Sequence, residues 1–220
     1  MAITYQDIQN STEIRTYITQ ADVSLLAMGF TEHSFAHVCK CADVAAHILS
    51  SLGYPERDVE LAKIAAYMHD IGNVVNRADH AQSGAVMAFR ILDKMGMPPA
   101  EVAAVVTAIG NHDEHTAFPV NAIAAALILA DKTDVRRSRV RNKDSATFDI
   151  HDRVNYAVEE SHVLLDTDAQ TVTLSLSIDT QVCAVMDYFE IFLQRMILCR
   201  KAAERLSLRF HLEVNGQILL

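Results

Sequence analysis

The stretch Ala65-Ala66-Tyr67-Met68-His69-Asp70-Ile71-Gly72 ends an apolar helical pattern with an imidazole and a carboxylate side by side. Buried His and Asp side chains need polar partners, and a divalent cation satisfies both at once. Gly72 then lets the chain leave the helix. The stretch therefore predicts a helical fold in which His69 and Asp70 bind a metal ion.

Composition indicates a mostly helical protein. Of the 220 residues 50% are hydrophobic, and only 7 are Gly and 4 are Pro. The formal net charge of −9 argues against long nucleic acid as a partner. We find neither an apolar run of about 20 residues, as a membrane span requires, nor a secretory signal. The four cysteines show no paired framework, so we expect reduced thiols and a cytoplasmic location.

Apolar residues recur every three or four positions in the first part of the chain, which predicts consecutive amphipathic helices. Gly53 and Pro55 favour a break between two of them, and the adjacent Pro98 and Pro99 favour a helix start. The polar residues 141–152 predict a loop. The predicted helices span residues 11–28, 31–52, 56–69, 79–95, 98–110 and 120–134.

The pattern changes after about residue 155. Residues 161–165 and 171–178 predict a β-hairpin, residues 180–206 a long helix, and residues 208–214 a further strand followed by a tight turn at Asn215-Gly216. We expect a helical domain over residues 1–155 and a small α+β appendage over residues 156–220. Because no catalytic constellation occurs in the appendage, we expect it to be a scaffold, a lid, a regulatory module or a homo-oligomer interface.

Further His and Asp residues lie at the predicted helix starts and ends. A site that collects imidazole nitrogens and carboxylate oxygens from several helices is typical of Fe, Mn, Zn, Co, Ni or Mg centres. Asp70 has two carboxylate oxygens and can bridge two metal ions. A neighbouring imidazole has only one free nitrogen and can bind only one ion. The candidate ligands are His37, His69, Asp70, His80, His112 and Asp131.

The order of these residues resembles the HD-domain superfamily of metal-dependent phosphohydrolases over residues 30–140. The shared pattern is an early His, a His-Asp doublet and a late Asp, here His37, His69-Asp70 and Asp131. The resemblance implies a mainly α fold with an HD-type helical bundle core, and His80 and His112 look like the extra ligands of the two-metal branches. Asn73 stands where many relatives have Lys, and Asn111-His112 replaces the usual adjacent His pair of the cyclic-dinucleotide phosphodiesterases.

The basic residues near the candidate ligands suit a phosphorylated substrate. Six cations within residues 132–143 exceed what capping a helix end needs, so we expect Arg136 or Arg137 to bind phosphate. Asn73 and Arg77 are further candidates for substrate contact. His33 lies four residues before His37, so both can project from one helix face, where His33 would bind metal, contact substrate or orient a neighbour.

We expect hydrolysis of a phosphate ester or anhydride of a small molecule, with a nucleotide favoured. Asp70 would bridge two divalent metal ions that activate water, Asp134 would accept a proton or fix a water, and Lys132 would stabilise phosphoryl charge. Two alternatives remain open from the sequence. One is a di-iron oxygenase of the same superfamily, and the other is a non-catalytic nucleotide sensor whose C-terminal part transmits a signal.

Overall fold

The computed structural model describes residues 2–220 and confirms a mainly α fold with a small C-terminal sheet. Three short 3₁₀ turns, Ile71–Val74, Arg137–Arg139 and Ser145–Thr147, connect helices. The helices are α1 (Tyr5–Asn10), α2 (Thr12–Ala27), α3 (Phe35–Ser51), α4 (Glu56–Met68), α5 (His80–Lys94), α6 (Pro99–Gly110), α7 (Ala122–Lys132), α8 (Ile150–Ala157) and α9 (Val185–Arg205).

Helix α7 lies at the centre of the bundle. It packs against three helices of the N-terminal part, α3, α4 and α6, and against α9 of the C-terminal part. Residues 123–130 of this helix are Ala, Ile and Leu, and all of them are buried. A helix that is apolar all round is buried all round, because no face has polar groups to offer to water. Asp131 and Lys132 are therefore carried to the interior end of a buried helix.

Four strands form one sheet in the order β1-β2-β3-β4, with β1 Val158–Asp166, β2 Thr171–Ile178, β3 Arg209–Val214 and β4 Gln217–Ile218. The first three were predicted, and β4 was not. Strands β1 and β2 form the predicted antiparallel hairpin, and β3 runs parallel to β2 after the crossover helix α9. The alternating apolar residues of β2 face the core, as the period of two requires. Asn215 and Gly216, with φ values of 51° and 79°, form the predicted tight turn to β4.

Several predicted boundaries were wrong. The helix predicted from residue 31 begins at Phe35, because Ser34 caps it by accepting a hydrogen bond from the Ala36 amide. His33 therefore lies in the loop before α3 and not on a face of that helix. The loop predicted over 141–152 contains the start of α8, which the Asp149 side chain caps. Helix α1 was not predicted from the sequence.

One buried apolar cluster contains residues from both sides of position 155, from Ile8 in α1 to Val214 in β3. The packing of α9 on α7 joins the two parts. The division into domains at this position stays a prediction. Among the described residues, no helix combines the length and the apolar character that crossing a bilayer requires.

Candidate metal centre

Five helices bring the six candidate ligands together around one point. His37 lies in the first turn of α3, and His69-Asp70 follow directly on α4. The other three come from α5, α6 and α7: His80 is the first residue of α5, His112 follows the end of α6, and Asp131 lies in the last turn of α7. The four histidines and Asp70 are buried, and the Asp131 side chain is 12% exposed.

The first group of ligand atoms consists of His37, His69, Asp70 and Asp131. Nε2 of His37 lies 3.3 Å from Asp131 Oδ1 and 3.3 Å from Nε2 of His69. Nε2 of His69 lies 3.2 Å from Asp70 Oδ2. Two imidazole nitrogens and two carboxylate oxygens therefore converge on a space small enough for one cation.

The second group consists of His80, His112 and the other oxygen of Asp70. Nε2 of His80 lies 3.6 Å from Asp70 Oδ1 and 3.1 Å from Nε2 of His112. The two oxygens of the Asp70 carboxylate thus face different groups of imidazoles. Asp70 contributes one oxygen to each group, and His69, His112 and Asp131 also lie close enough together to hold an ion between the groups.

The donor set fits a metal ion because the ring nitrogens that converge are lone-pair nitrogens. Nδ1 of His69, His80 and His112 each lies 2.6–3.1 Å from a backbone carbonyl oxygen, which only accepts hydrogen bonds, so Nδ1 carries the proton. Whenever these rings are neutral, their Nε2 atoms point lone pairs at each other and at carboxylates. Asp70 Oδ2 is buried and has no hydrogen-bond partner among residues 2–220. A cation satisfies all of these atoms together.

The pKa shifts in the cluster reflect the same need for positive charge. Burial and the charge of His69 hold the pKa of His112 well below its usual range, so that ring is neutral. Burial also lowers the pKa of His69, but the attraction of Asp70 and Asp131 outweighs it and raises that pKa. Burial opposes ionisation of Asp70, yet the neighbouring His69 keeps the pKa of Asp70 well below its usual range.

Gly72 lets the His-Asp turn approach α5 closely. A Cβ atom on Gly72 would lie 2.0 Å from the His80 carbonyl oxygen and 2.5 Å from the Gly84 amide nitrogen. Those contacts are far below van der Waals distance, so only glycine fits at this crossing. The crossing sets how close Asp70 lies to His80.

Asp134 lies behind His37, on the side of the ring away from the other ligands. Its Oδ2 accepts a hydrogen bond from His37 Nδ1 at 2.8 Å, and its Oδ1 lies 2.9 Å from both Lys40 Nζ and Arg136 Nε. Its side chain is fully buried and does not line the cavity described below. Asp134 therefore lies where it orients His37. Its predicted role as a proton acceptor stays a prediction, and this position argues against it.

A cavity of about 280 Å³ opens above the cluster. Lys132, predicted as catalytic, lines it and lies 2.7 Å from Asp131 Oδ2 and 3.1 Å from Glu114 Oε2. Burial lowers the pKa of Lys132, but these two carboxylates outweigh it and raise that pKa, so the ammonium stays charged. The cavity is lined by Asp70, His80, His112 and Asp131 from the cluster, by His33, Arg77, Lys132 and Arg139, and by residues that include Asn155, Phe192 and Arg195.

The predicted substrate-binding residues separate into two sets. His33 and Arg77 line the cavity, with Nδ1 of His33 held 2.7 Å from the Thr31 carbonyl oxygen. Asn73 is buried outside the lining, where its amide donates to Asp70 Oδ1 at 2.9 Å and its Oδ1 accepts from Arg77. It therefore orients Asp70 and Arg77.

Arg136 and Arg137 also lie outside the cavity lining. Arg136 bonds to Asp134 and to Glu32, and Arg137 bonds to the Tyr156 carbonyl oxygen. Their contact with substrate stays a prediction that these bonds argue against. Arg139, two residues further, is the arginine of this segment that reaches the cavity wall.

Sequence reasoning missed the cavity residues contributed by the C-terminal part. Arg195 lies on the mostly buried face of α9, next to Phe192 and Met196. The sequence did contain one signal, a charged residue at an apolar-face position of a long amphipathic helix, where a partly buried cation needs an anionic partner. That partner, Glu114, comes from the loop after α6.

Comparisons with known proteins agree with this geometry. The family model described as HD domain matches residues 34–191, well over half of the chain. A search of curated protein sequences gave no significant match. The matched segment contains all six candidate ligands. The chain therefore belongs to the HD-domain family, whose members are mostly metal-dependent hydrolases.

Proposed function

We propose that this protein is a metal-dependent phosphohydrolase that acts on a phosphate ester or anhydride of a small molecule, with a nucleotide as the favoured substrate class. Membership of the HD-domain family supports hydrolysis. The single observation that carries the proposal is the position of Asp70, whose Oδ2 faces His69 and whose Oδ1 faces His80. A carboxylate shared in this way suits a centre of two metal ions.

Metal ions held in these two groups would supply an activated water and would neutralise charge on a phosphoryl group. The imidazole-rich donor set favours Fe, Mn, Co, Ni or Zn over Mg. His37, His69 and Asp131 would hold the first ion, His80 and His112 would hold the second, and Asp70 would contact both.

Side chains around the cluster would bind and orient the phosphoryl group. Lys132 is a buried cation beside Asp131 and lines the cavity, so it is placed to neutralise phosphoryl oxygens. Arg77 lines the same cavity and has Asn73 as its hydrogen-bond partner. Arginine binds phosphate oxygens through paired N–H groups, which fixes their orientation as well as their charge.

Three expectations on the compartment and the partners of the protein belong to the same proposal. All four cysteines are free thiols, which supports a reducing compartment such as the cytoplasm. Helix α9 exposes Met186 and Leu193, whose side chains suit contact with a second copy of the chain. The acidic balance of the whole chain favours a small phosphorylated molecule over long nucleic acid.

The test combines metal analysis with a phosphate-release screen over nucleotides and a generic phosphodiester. We expect about two metal ions per chain in protein purified without added metal, as the shared carboxylate requires. Phosphate release should be lost in Asp70→Ala and kept in Asp93→Ala, which changes an exposed carboxylate on α5. Absence of metal from the wild type would refute the proposal. Metal without any phosphate release would favour the oxygenase if oxygen is consumed, or the sensor if a nucleotide binds without turnover.

A further inference from the structure

The guanidinium group of Arg195 is held in place at the edge of the candidate active site. Its Nε forms an ion pair with Glu114 Oε1, and its plane lies over the Phe192 ring with Cζ 4.6 Å from the ring centre. The side chain is 27% exposed. An arginine that is ion-paired at Nε and stacked on an aromatic ring has less rotational freedom to lose when a ligand arrives.

The two terminal nitrogens of Arg195 remain free for a ligand. Among residues 2–220, neither Nη1 nor Nη2 donates a hydrogen bond to the protein. Glu114 shares its negative charge between two cations, because its other oxygen lies 3.1 Å from Lys132 Nζ. Arg195 therefore presents a positively charged pair of N–H₂ groups, the arrangement that binds carboxylate or phosphate in a bidentate way.

Arg195 lies at the boundary between two cavities. It lines the 280 Å³ cavity whose wall includes four of the candidate metal ligands, and it also lines a neighbouring cavity of about 710 Å³. Arg77 lines both cavities as well, and its guanidinium lies 5.4 Å from the centre of the Phe30 ring. None of the six candidate metal ligands lines the second cavity. Nη1 of Arg77 lies 3.5 Å from Nε2 of His80, so Arg77 borders the metal cluster, whereas Arg195 marks a position beside it.

We infer that Arg195 binds a second anionic group of the substrate, next to the phosphoryl group held at the cluster, and that Arg77, which lines both cavities, contacts both groups. This inference rests on the proposed function and narrows its substrate class. The substrate is a phosphoanhydride, or a phosphate ester that carries another phosphate or carboxylate. Helix α9 is then part of the active site, and the second cavity receives the portion of the substrate beyond the two arginines.

The test compares two probes that resist hydrolysis. Methylenediphosphonate carries two anionic groups, and methylphosphonate carries one. Both are titrated by calorimetry into metal-loaded protein, with the loading metal in excess over the probe and metal content measured afterwards. Arg195→Met should weaken methylenediphosphonate about tenfold or more, the effect of losing a charge-assisted hydrogen bond, and should weaken methylphosphonate less than about threefold.

Two further variants keep the test decisive. Arg200→Met changes an exposed arginine on the same helix and should bind both probes as the wild type does. Arg195→Lys keeps the charge beside Glu114 but loses the paired donors, so it should give an intermediate loss and serves if Arg195→Met does not fold. Unchanged affinity for methylenediphosphonate in the Arg195 variants would overturn the inference, as would equal weakening of the two probes. Both probes bind without turnover. A failed phosphate-release screen would therefore refute the proposed function, while the titrations would still decide whether Arg195 binds a second anionic group.

Discussion

The Asp134 carboxylate accepts a hydrogen bond of 2.8 Å from Nδ1 of His37, and both side chains are fully buried. Nε2 on the other side of the same ring faces Asp131 and His69. A carboxylate on Nδ1 fixes the tautomer and makes Nε2 a stronger ligand. Lys40 and Arg136 hold the Asp134 carboxylate in turn, so a chain of charges orients one side of the cluster.

Replacing Asp134 by Asn should weaken metal binding without removing any proposed ligand. Asparagine keeps the shape and can still accept from His37, but it removes the negative charge that strengthens Nε2. We expect metal affinity to fall about 10- to 100-fold, the usual effect of removing such an outer partner. Competition with a chelator of known affinity measures the change. Asp43→Asn, which alters a side chain that is 76% exposed on the same helix α3, should leave the affinity unchanged. Wild-type affinity in Asp134→Asn would show that this hydrogen bond does not tune the site.

Acid should remove a stabilising contact between α4 and α6. The hydrogen bond from Arg57 is the main cause that lowers the pKa of Glu101 below its ordinary value of 4.5. A carboxylate with a lowered folded pKa stabilises the fold fully above pH 4.5, and this contribution is lost as the pH falls through the lower folded pKa. Glu101→Gln should therefore reduce the difference in unfolding free energy between about pH 7 and pH 3, by up to about 1 kcal/mol.

Urea unfolding of wild type and Glu101→Gln at the two pH values measures this difference. Glu204→Gln, at an exposed position of α9, serves as the control and should keep the wild-type pH dependence. If Glu101→Gln also kept it, the ion pair with Arg57 would contribute nothing to acid stability.

The six candidate ligands could be selected from the sequence because each lies where a helix pattern begins or ends. Apolar periodicity locates those ends to within a few residues, and the order of residues matches the HD-domain pattern. Asp134 shows where this reasoning fails. Its spacing of three residues from Asp131 suggests the same helix face, but α7 ends at Lys132. The chain then turns and carries Asp134 behind His37.

Arg195 shows a second limit of the sequence. Its partner Glu114 lies 81 positions away in the chain, as their numbers show, and no local motif links them. The pair exists because α9 packs on α7, which is a property of tertiary packing and not of local periodicity. The predicted position of His33 on a helix face was wrong for a simpler reason, because the Ser34 cap starts α3 two residues after it.

Adding one methyl group at Gly72 should disrupt the site without removing any candidate ligand. The new Cβ would meet the His80 carbonyl oxygen at 2.0 Å and the Gly84 amide nitrogen at 2.5 Å, both backbone atoms that cannot rotate away. We expect Gly72→Ala to lower the free energy of unfolding by about 1–3 kcal/mol or more, the usual cost of overpacking. Metal content should fall with it, because Asp70 and His80 are pushed apart.

Chemical denaturation and metal analysis test this prediction together. Gly110→Ala is the matched control, since a Cβ there would meet only the Ala85 side chain at 3.5 Å, an ordinary contact. Gly72→Ala with wild-type stability and metal content would mean that the crossing of the His-Asp turn with α5 tolerates a side chain.

Removing metal should destabilise the whole protein and not only stop its activity. Without a cation, the lone pairs of His80 and His112 face each other at 3.1 Å, and Asp70 Oδ2 stays buried with no partner in the part of the chain that the structure describes. Metal that binds only the folded chain stabilises it by about 4 kcal/mol when its free concentration is 1,000 times its Kd. That energy corresponds to a rise in Tm of roughly 10 °C for a chain of this size.

Calorimetric melting with and without a chelator measures the effect. A double variant, His69→Ala with His112→Ala, removes one ligand from each group, and we expect chelation to leave its Tm unchanged. An identical Tm for chelated and metal-loaded wild type would mean that the buried imidazoles and carboxylates satisfy one another without a metal. An equal Tm loss in the double variant would place the stabilising ion somewhere other than this cluster.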